Sequence, residues 1–180
     1  MEFVNATERT KDYRKMKKLY KQAFPSNERA PFRLLKRRAK SDNADFWALY
    51  NEDKFIGITY IVKNKDLAYI FYLAVQPDER GKGYGTEIIN ELKKRYAGMR
   101  LFLALELPDE QAPNYEQRVK RHEFYSKCGL NDLPCKIKEA SVIYGVMGIG
   151  GNIKPEEYGE MMKLYLGGFL SKIIDVRLIE

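Results

Sequence analysis

Three glycines at alternate positions are the strongest chemical signal of the chain, in the segment "FYLAVQPDERGKGYGTEIINELKKRY". An apolar run precedes them, a helical pattern follows, and Arg80 and Lys82 lie beside them. Glycine loses more backbone entropy on folding than any other residue, so three together indicate a special local geometry. Backbone N–H groups at a helix start favour an anion, and glycine lets a pyrophosphate approach them closely. The segment is therefore predicted to bind a phosphate group through Gly81, Gly83 and Gly85.

Two common phosphate-binding motifs do not fit this spacing. A P-loop needs four residues between its first glycine and a Gly-Lys-Ser/Thr ending, which is absent. The dinucleotide fingerprint needs a third glycine where this chain has Thr86. That fingerprint also usually lies in the first strand–helix unit of a parallel sheet, and here the loop follows an antiparallel pattern. Both motifs are therefore excluded.

The elements before the loop predict an α+β (α/β) chain with a mixed sheet. Apolar residues at helical spacing from Tyr13 to Phe24 predict a helix that ends before Pro25. The segment "PFRLLKRRAK" predicts a second, short and basic helix. "DFWALY", "KFIGITYIV" and "LAYIFYLAV" are then separated by the turn formers "NED" and "KNKD". Three strands with such short connections form an antiparallel meander.

The elements after the loop predict a crossover. Ile88, Ile89, Leu92 and Tyr96 form one helical face, and "LFLALEL" follows as a strand. The third meander strand, this helix and this strand form a parallel β-α-β crossover. "NYEQRVKRHEFYSKCGL" predicts another helix, "ASVIYGVMGIG" a strand, and Pro155 opens a last helix. Helices thus flank the sheet, and "KIIDVRLIE" receives no firm prediction.

The composition predicts one domain over residues 1–180, with a core of about 1–150 and a C-terminal extension, 151–180. The chain is 44% hydrophobic and 32% charged, as expected for a globular protein. It has no apolar run of membrane-spanning length and no signal-peptide pattern. Cys128 and Cys135 lie in no metal or redox spacing, and two thiols without an export signal predict a cytoplasmic protein without a metal site. The sequence does not distinguish a monomer from a homodimer.

The formal net charge of +7 is concentrated near the start of the chain. Residues 1–40 contain 13 Lys or Arg and 4 Asp or Glu. Such asymmetry occurs in nucleic-acid-binding proteins, but it is also typical of solvated amphipathic helices. The second interpretation is favoured, and no nucleic-acid partner is expected, because no RNA-binding or zinc-finger signature accompanies the charge.

The glycine segment resembles the acyl-CoA signature of the GNAT superfamily of N-acetyltransferases. That signature is Gln or Arg, two residues, Gly, one residue, then Gly or Ala, and here it begins at Arg80. "HEFYSKCGL" is similar to the family's later Phe-Tyr, Lys and Gly, and the order of elements also agrees. The resemblance covers roughly residues 1–150. "AFPSNERAPF", "IFYLAV" and "EQRVKRHEFY" look like pieces of a less characterised bacterial branch.

The resemblance implies acetyl-CoA as cosubstrate. In this family the fourth and fifth strands splay apart, and the pantetheine arm pairs with the backbone of the fourth. That backbone maps to Leu73, Ala74 and Val75. The pyrophosphate loop maps to Arg80, Gly81, Lys82, Gly83, Tyr84, Gly85 and Thr86. For Tyr84, packing is as good an explanation as contact with the ligand.

The implied reaction is direct attack of a neutral amine on the thioester in a ternary complex. An alkylammonium has a pKa of about 10.4, so a base must take its proton, and an acid assists the thiolate. Tyr125 matches the family's tyrosine that donates to the CoA sulfur. Glu106, at the end of an apolar strand where desolvation would raise its pKa, is the candidate base, with water as an alternative base. An ordinary strand-end carboxylate paired with Lys or Arg explains Glu106 equally well.

Further residues are assigned by the resemblance. Many relatives carry Asn seven residues before the helix tyrosine, where this chain has Arg118, and Asn114 is a candidate replacement or an N-cap. Arg118 and Arg121 are expected to face the cofactor, an anionic substrate group or solvent. Glu28 lies where this family shapes its acceptor pocket. His122 is expected at the surface.

Two other functions stay open at this stage. A non-catalytic acyl-CoA-binding or sensing protein would keep the glycine loop without needing Glu106 or Tyr125. A nucleic-acid-binding protein would work through residues 1–40. The sequence does not identify the acceptor, which is a small-molecule or peptide amine.

Overall fold

The chain forms five α-helices and eight β-strands within the part that the computed structural model describes, which is residues 1–7, 12–26, 28–139, 142–167 and 176–179. The strands are β1 Glu2–Asn5, β2 Ala44–Asn51, β3 Lys54–Asn64, β4 Leu67–Val75, β5 Arg100–Glu106, β6 Asn131–Glu139, β7 Val142–Ile149 and β8 Val176–Ile179. The helices are α1 Tyr13–Ala23, α2 Phe32–Arg38, α3 Tyr84–Arg95, α4 Tyr115–Lys127 and α5 Pro155–Leu166. Pro77–Glu79 form a short 3-10 turn.

The first of two compact units comprises Met1–Lys63 and Ile70–Arg95. Its strands lie in the order β1-β2-β3-β4, so β1 extends the predicted meander. β1 and β3 both pair antiparallel with β2, with Trp47 opposite Asn5 on one side and Thr59 on the other. The predicted meander is therefore confirmed and has one more strand than expected.

The helices of this unit bury the faces that the sequence pattern predicts. Ile88, Ile89 and Leu92 of α3 are buried, as are Met16 and Tyr20 of α1. Because these residues recur every three or four positions, one stripe of each helix packs into the core. α1 ends at Ala23, before Pro25, as predicted.

The second unit comprises Asn64–Tyr69 and Tyr96–Glu180. Here β4 and β5 pair in parallel through three residues each, from Leu67 opposite Arg100 to Tyr69 opposite Phe102. The remaining order is β5-β7-β6-β8, with antiparallel pairs throughout. This parallel pair confirms the predicted crossover, and the fold is the expected mixed α+β arrangement.

Arg100, the first residue of β5, is the main polar junction of the second unit. Its guanidinium makes two hydrogen bonds of 2.8 Å to Asp66, in the turn before β4, and two of 2.8 Å to Glu157 of α5. It also donates to the backbone oxygen of Asn152 at 2.7 Å. The hydrogen bonds from Arg100 lower the pKa of Glu157 to about 2, and Arg100 likewise lowers that of Asp66.

The C-terminal extension covers one part of this unit. α5 begins at Pro155, as predicted, and buries Tyr158, Met161, Met162 and Tyr165. The Tyr158 ring lies edge-on to Tyr69 and Phe102, which stack on each other at 4.7 Å. Of "KIIDVRLIE", residues 176–179 form β8, and the rest lies outside the described residues. No helix in the described ranges has the length and apolar character needed to cross a membrane.

Three strands, β1, β6 and β8, were not predicted. β1 and β8 are four residues long, too short to show a period. β6, "NDLPCKIKE", contains Pro134 and three charged residues before its final Glu139, which hid an alternation of Leu133, Cys135 and Ile137. Cys135 and Ile137 are buried, so this period-two pattern was the available signal.

Replacing Glu157 with Gln should lower the free energy of unfolding by about 2–3 kcal/mol, because charge-assisted hydrogen bonds to Arg100 are lost. The pKa of Glu157 is lowered from 4.5 to about 2, so this contribution is present above pH 4.5 and disappears as the pH falls towards 2. Urea denaturation at pH 7 and pH 3 measures both effects.

Glu160→Gln is the matched control. Glu160 lies one turn later on α5 and pairs with Lys65 in an exposed ion pair, which contributes little to stability because solvent screens it. Equal losses of stability for the two variants would contradict the role assigned to Arg100.

Candidate functional site

The glycine loop joins β4 to α3 with two residues in the left-handed region. Gly81 has φ +77° and Gly83 has φ +86°. A Cβ atom at either position would meet no atom within 4 Å, so backbone conformation and not crowding requires glycine here. The first hydrogen bond of α3 runs from the Glu87 N–H to the Gly83 oxygen at 3.1 Å. The N–H groups of Tyr84 and Gly85 precede it, so the loop ends at a helix N-terminus suited to an anion.

The basic residues of the loop are held by neighbours in the same unit. Arg80 donates from Nε to the backbone oxygen of Val75 at 3.2 Å, and Lys82 pairs with Glu79 at 3.1 Å. Glu79 is buried and also pairs with Lys54, whose hydrogen bond is the main reason that the pKa of Glu79 is lowered. Two lysines therefore share one buried carboxylate beside the loop. Lys54 and Glu79 were not among the predicted site residues.

Tyr84 contributes to packing, one of the two roles considered for it. Its hydroxyl accepts a hydrogen bond from Asn51 Nδ2 at 3.1 Å, which ties the first turn of α3 to the end of β2. The adjacent Gly85 is half-buried, and Thr86 is exposed. The helix start is thus fixed on one side by a side-chain hydrogen bond.

The predicted pantetheine-pairing residues form the last part of β4. Ala74 is buried, and Leu73 and Val75 are half-buried. Gly57 of β3 lies against this backbone, because a Cβ atom there would collide with the Ala74 carbonyl oxygen. Glycine at position 57 therefore permits the approach of β3 to β4, a long-range requirement that the sequence analysis missed.

Glu28 lies in a loop that hydrogen bonds hold in place. The Tyr72 hydroxyl donates to the Glu28 carbonyl oxygen at 2.8 Å and accepts from the Ala30 N–H at 3.2 Å. Tyr20 donates to the Ala30 oxygen at 2.9 Å. Burial, together with the neighbouring Tyr72, raises the pKa of Tyr20, so it remains a donor. Glu28 itself is half-buried.

In the second unit, Glu106 is the centre of a charged cluster with Asn114, Arg118 and Arg121. Its Oε1 accepts from Arg118 at 2.8 Å, and its Oε2 accepts from Asn114 Nδ2 at 3.3 Å. Arg121 approaches Oε2 at 3.6 Å. Glu106 therefore pairs with arginine, as expected of an ordinary strand-end carboxylate. The apolar surroundings expected of a desolvated base are replaced by cationic and amide groups from α4 and the residue before it.

Arg118 and Asn114 hold each other as well as Glu106. Arg118 donates from Nε to Asn114 Oδ1 at 2.9 Å and from Nη1 to the Leu107 oxygen at 3.0 Å. Asn114 precedes α4 but makes no side-chain capping hydrogen bond, so N-capping does not explain it. These two predicted cofactor-binding residues thus meet at the predicted base.

Tyr125 lies on α4, one turn after Arg121, in contact with Phe124 at 5.0 Å between ring centroids. Its side chain is half-buried. Burial raises the pKa of the Tyr125 hydroxyl to about 12, and the charge of Arg121 partly opposes this. The phenol is therefore protonated near neutral pH and can donate a hydrogen bond. Glu106 and Tyr125 are thus both electrostatic neighbours of Arg121.

His122 lies near this cluster in sequence but has a different partner. Its Nε2 lies 2.9 Å from Asp132 Oδ1 of β6, in keeping with the expected surface position. Among the described residues, no group of three or more His, Cys, Asp and Glu side chains is arranged to hold a metal ion. Cys128 and Cys135 are both buried thiols.

Comparison with known proteins agrees with this architecture. The model of the acetyltransferase (GNAT) family matches residues 13–130. A GNAT-family acetyltransferase structure from Bacteroides thetaiotaomicron has a TM-score of 0.72 at 21% identity, covering 95% of this chain and 98% of that one. An aminoglycoside 6'-N-acetyltransferase complexed with coenzyme A has a TM-score of 0.62 at 15% identity, with coverage of 86% and 100%.

A variant of the spermidine N-acetyltransferase from Vibrio cholerae is also similar, with a TM-score of 0.57 at 12% identity and coverage of 87% and 92%. At these identities the likeness concerns the fold. A comparison with curated protein sequences gives no match.

Replacing Gly83 with Ala should lower the free energy of unfolding by about 1–2 kcal/mol, because an L-residue at φ +86° is strained even in open space.

Gly159→Ala is the matched control, and here the same substitution should raise the free energy of unfolding. Gly159 is inside α5 with open space around it, so alanine there should add about 0.5–1 kcal/mol. Urea denaturation of both variants distinguishes the cases, and a stabilised Gly83→Ala protein would contradict the conformational requirement.

Proposed function

Since the chain belongs to the acetyltransferase (GNAT) family, we propose that it transfers an acetyl group from acetyl-CoA to an amine acceptor. The observation that carries this proposal is the turn from β4 into α3. Two glycines with positive φ precede a helix N-terminus, and Lys82 and Lys54 lie beside it. This arrangement favours a doubly charged phosphate group of the kind that coenzyme A carries. Coenzyme A in a structurally similar acetyltransferase agrees with the choice of cosubstrate.

We assign the residues that bind the cofactor as follows. Residues Arg80 to Thr86 bind the pyrophosphate, mainly through backbone N–H groups, since Arg80 and Lys82 are engaged by Val75 and Glu79. The backbone of Leu73, Ala74 and Val75 binds the pantetheine arm. For Val75 this means that pantetheine and Arg80 share or exchange one carbonyl acceptor. Asn114 and Arg118 complete the cofactor-binding set.

The reaction is direct attack of the neutral amine on the thioester carbon in a ternary complex. The carbon–sulfur bond breaks as the carbon–nitrogen bond forms, the sulfur leaves as a thiolate, and the amine loses a proton. Tyr125 donates to the thiolate, for which a protonated phenol is required. Glu106, directly or through a water molecule, receives the amine proton. Glu28 is assigned to the acceptor pocket, and the acceptor is a small-molecule or peptide amine.

Thermal unfolding in excess ligand is the first test of this function. A ligand at about 100 times its dissociation constant adds roughly 2.7 kcal/mol of stability, a rise in Tm of roughly 5–10 °C for a chain of this size. Acetyl-CoA and CoA should both give this shift, whereas NADH and ATP should not. A shift with NADH or ATP and none with CoA would overturn the assignment of the glycine loop.

Tyr125→Phe tests the assigned acid. It should lower kcat by about 10²–10⁴, the usual contribution of a positioned proton donor, and leave the dissociation constant of CoA unchanged. Steady-state kinetics with acetyl-CoA and CoA titration by thermal shift measure the two quantities.

Tyr158→Phe is the matched control. The Tyr158 hydroxyl is buried without a hydrogen-bond partner in the described residues. The substitution therefore also removes a tyrosine hydroxyl, but at a position with no assigned role in the reaction. It should leave kcat unchanged. Unchanged kcat for Tyr125→Phe would remove that residue from its role.

A further inference from the structure

The charged cluster around Glu106 has one positive charge more than it can neutralise internally. On α4, Lys120 pairs with Glu116 at 3.5 Å, and Lys127 pairs with Glu123 at 3.4 Å. The other two cations of the helix, Arg118 and Arg121, share the single carboxylate of Glu106. With Glu106 ionised, the cluster of these three side chains has a net charge of +1.

The two arginines are not equivalent. Arg118 is largely buried, and its Nε and both Nη atoms each donate a hydrogen bond of 2.8–3.0 Å. Arg121 is 44% exposed, and its nearest carboxylate oxygen lies 3.6 Å away, beyond hydrogen-bond distance. Within the described ranges its guanidinium has no other hydrogen bond or ion pair. Arg118 therefore holds Glu106 in place with three of its five N–H donors engaged, whereas none of the donors of Arg121 makes a hydrogen bond within the described residues.

Arg121 is also close to the assigned reaction centre. Its charge acts on Tyr125, which lies one turn later on the same face of α4, and its Nη1 lies 3.6 Å from Glu106 Oε2. A ligand group that pairs with Arg121 therefore lies next to both residues assigned to proton transfer. Arg is well suited to this because its planar fork binds a carboxylate through two parallel hydrogen bonds.

We propose that Arg121 binds a carboxylate of the acceptor, so that the acceptor is an amino carboxylate, such as a free α-amino acid, and not a polycation. This inference rests on the proposed function and names its substrate class. In an α-amino acid the amine and the carboxylate are attached to one carbon atom. Such a ligand matches Glu106 and Arg121, whose opposite charges lie 3.6 Å apart. The amine faces Glu106 and the carboxylate faces Arg121.

The same charges disfavour the acceptors of the two similar enzymes named above. Spermidine and aminoglycosides carry several positive charges, and like charges placed together in a binding site oppose binding. In a cluster with net charge +1, a single carboxylate is available for the several ammonium groups of a polyamine, so the remaining ammonium groups are repelled. The fold is thus shared, but the charge at this position predicts a different acceptor.

The test uses matched pairs of acceptors that differ only in the carboxylate. Each of the twenty standard amino acids is compared with the amine that it gives on decarboxylation, for example L-phenylalanine with 2-phenylethylamine. Spermidine and kanamycin are measured as polycationic acceptors. At saturating acetyl-CoA, kcat/KM should be at least roughly tenfold higher for the best amino acid than for its decarboxylated partner. Arg121→Gln should bring this ratio to about one, a loss of roughly tenfold or more, the effect of losing one charge-assisted interaction.

Lys120→Gln is the matched control, since it removes an adjacent positive charge that is paired with Glu116 outside the cluster. It should leave the ratio unchanged. If Arg121→Gln instead weakens CoA binding and lowers kcat/KM equally for all acceptors, the anion is a phosphate of the cofactor and the proposal is wrong. Binding of 3'-dephospho-CoA to both variants identifies which phosphate is involved.

The remaining outcomes separate this inference from the proposed function. An enzyme that binds CoA and acetylates spermidine, kanamycin or simple amines better than every amino acid keeps its function but overturns the inference. Turnover of none of the amino acids by a CoA-binding enzyme also overturns it. Failure to bind CoA at all overturns the proposed function, which the thermal-shift measurement shows independently.

Discussion

The position of β5 depends on the guanidinium of Arg100. This one group satisfies both oxygens of Asp66 and of Glu157 and the carbonyl of Asn152, and the Arg100 N–H donates to the Asp66 oxygen at 2.7 Å. The first residue of β5 is thereby fixed before any packing of the strand is considered. A slip of one residue would exchange the two faces of the strand. Glu106, six residues later, would then point away from α4.

The neighbouring glycines belong to the same constraint. Gly150 and Gly151 have φ values of +91° and +130°, and a Cβ atom at Gly150 would lie 3.1 Å from the Arg100 Cα. The turn between β7 and α5 therefore combines positive φ with close approach to the arginine. Side chains there would displace Asn152 from Arg100. A site at one end of β5 thus depends on contacts at its other end.

The sequence was sufficient to predict those elements whose pattern lies within one short segment of the chain. The three glycines, the apolar stripe of α3 and Pro155 each indicated an element or boundary that the structure confirms. The family was equally accessible, because its two motifs are short segments. For the same reason Tyr125 could be proposed without knowledge of its neighbours.

Partners far apart in sequence could not be predicted. Lys54 meets Glu79 across 25 residues, and Arg100 meets Glu157 across 57, with no sequence pattern that links either pair. The collision that requires Gly57 depends on the spacing of two strands. For Glu106, apolar surroundings and a pairing with Lys or Arg were both expected, and the structure has the pairing, with partners from α4 and Asn114. Which residues are those partners could not be read from the sequence, because the contacts depend on how α4 packs beside β5.

The raised pKa of Tyr125 limits how the proposed proton transfer to the thiolate can proceed. A phenol of pKa about 12 donating to a thiolate of about 8.5 would be unfavourable by roughly 5 kcal/mol if the proton moved completely. In the proposed reaction Tyr125 therefore acts as a hydrogen-bond donor to the developing thiolate, and the amine supplies the net proton as it becomes an amide. The charge of Arg121 is compatible with this arrangement, since it partly opposes the effect of burial on the pKa of Tyr125.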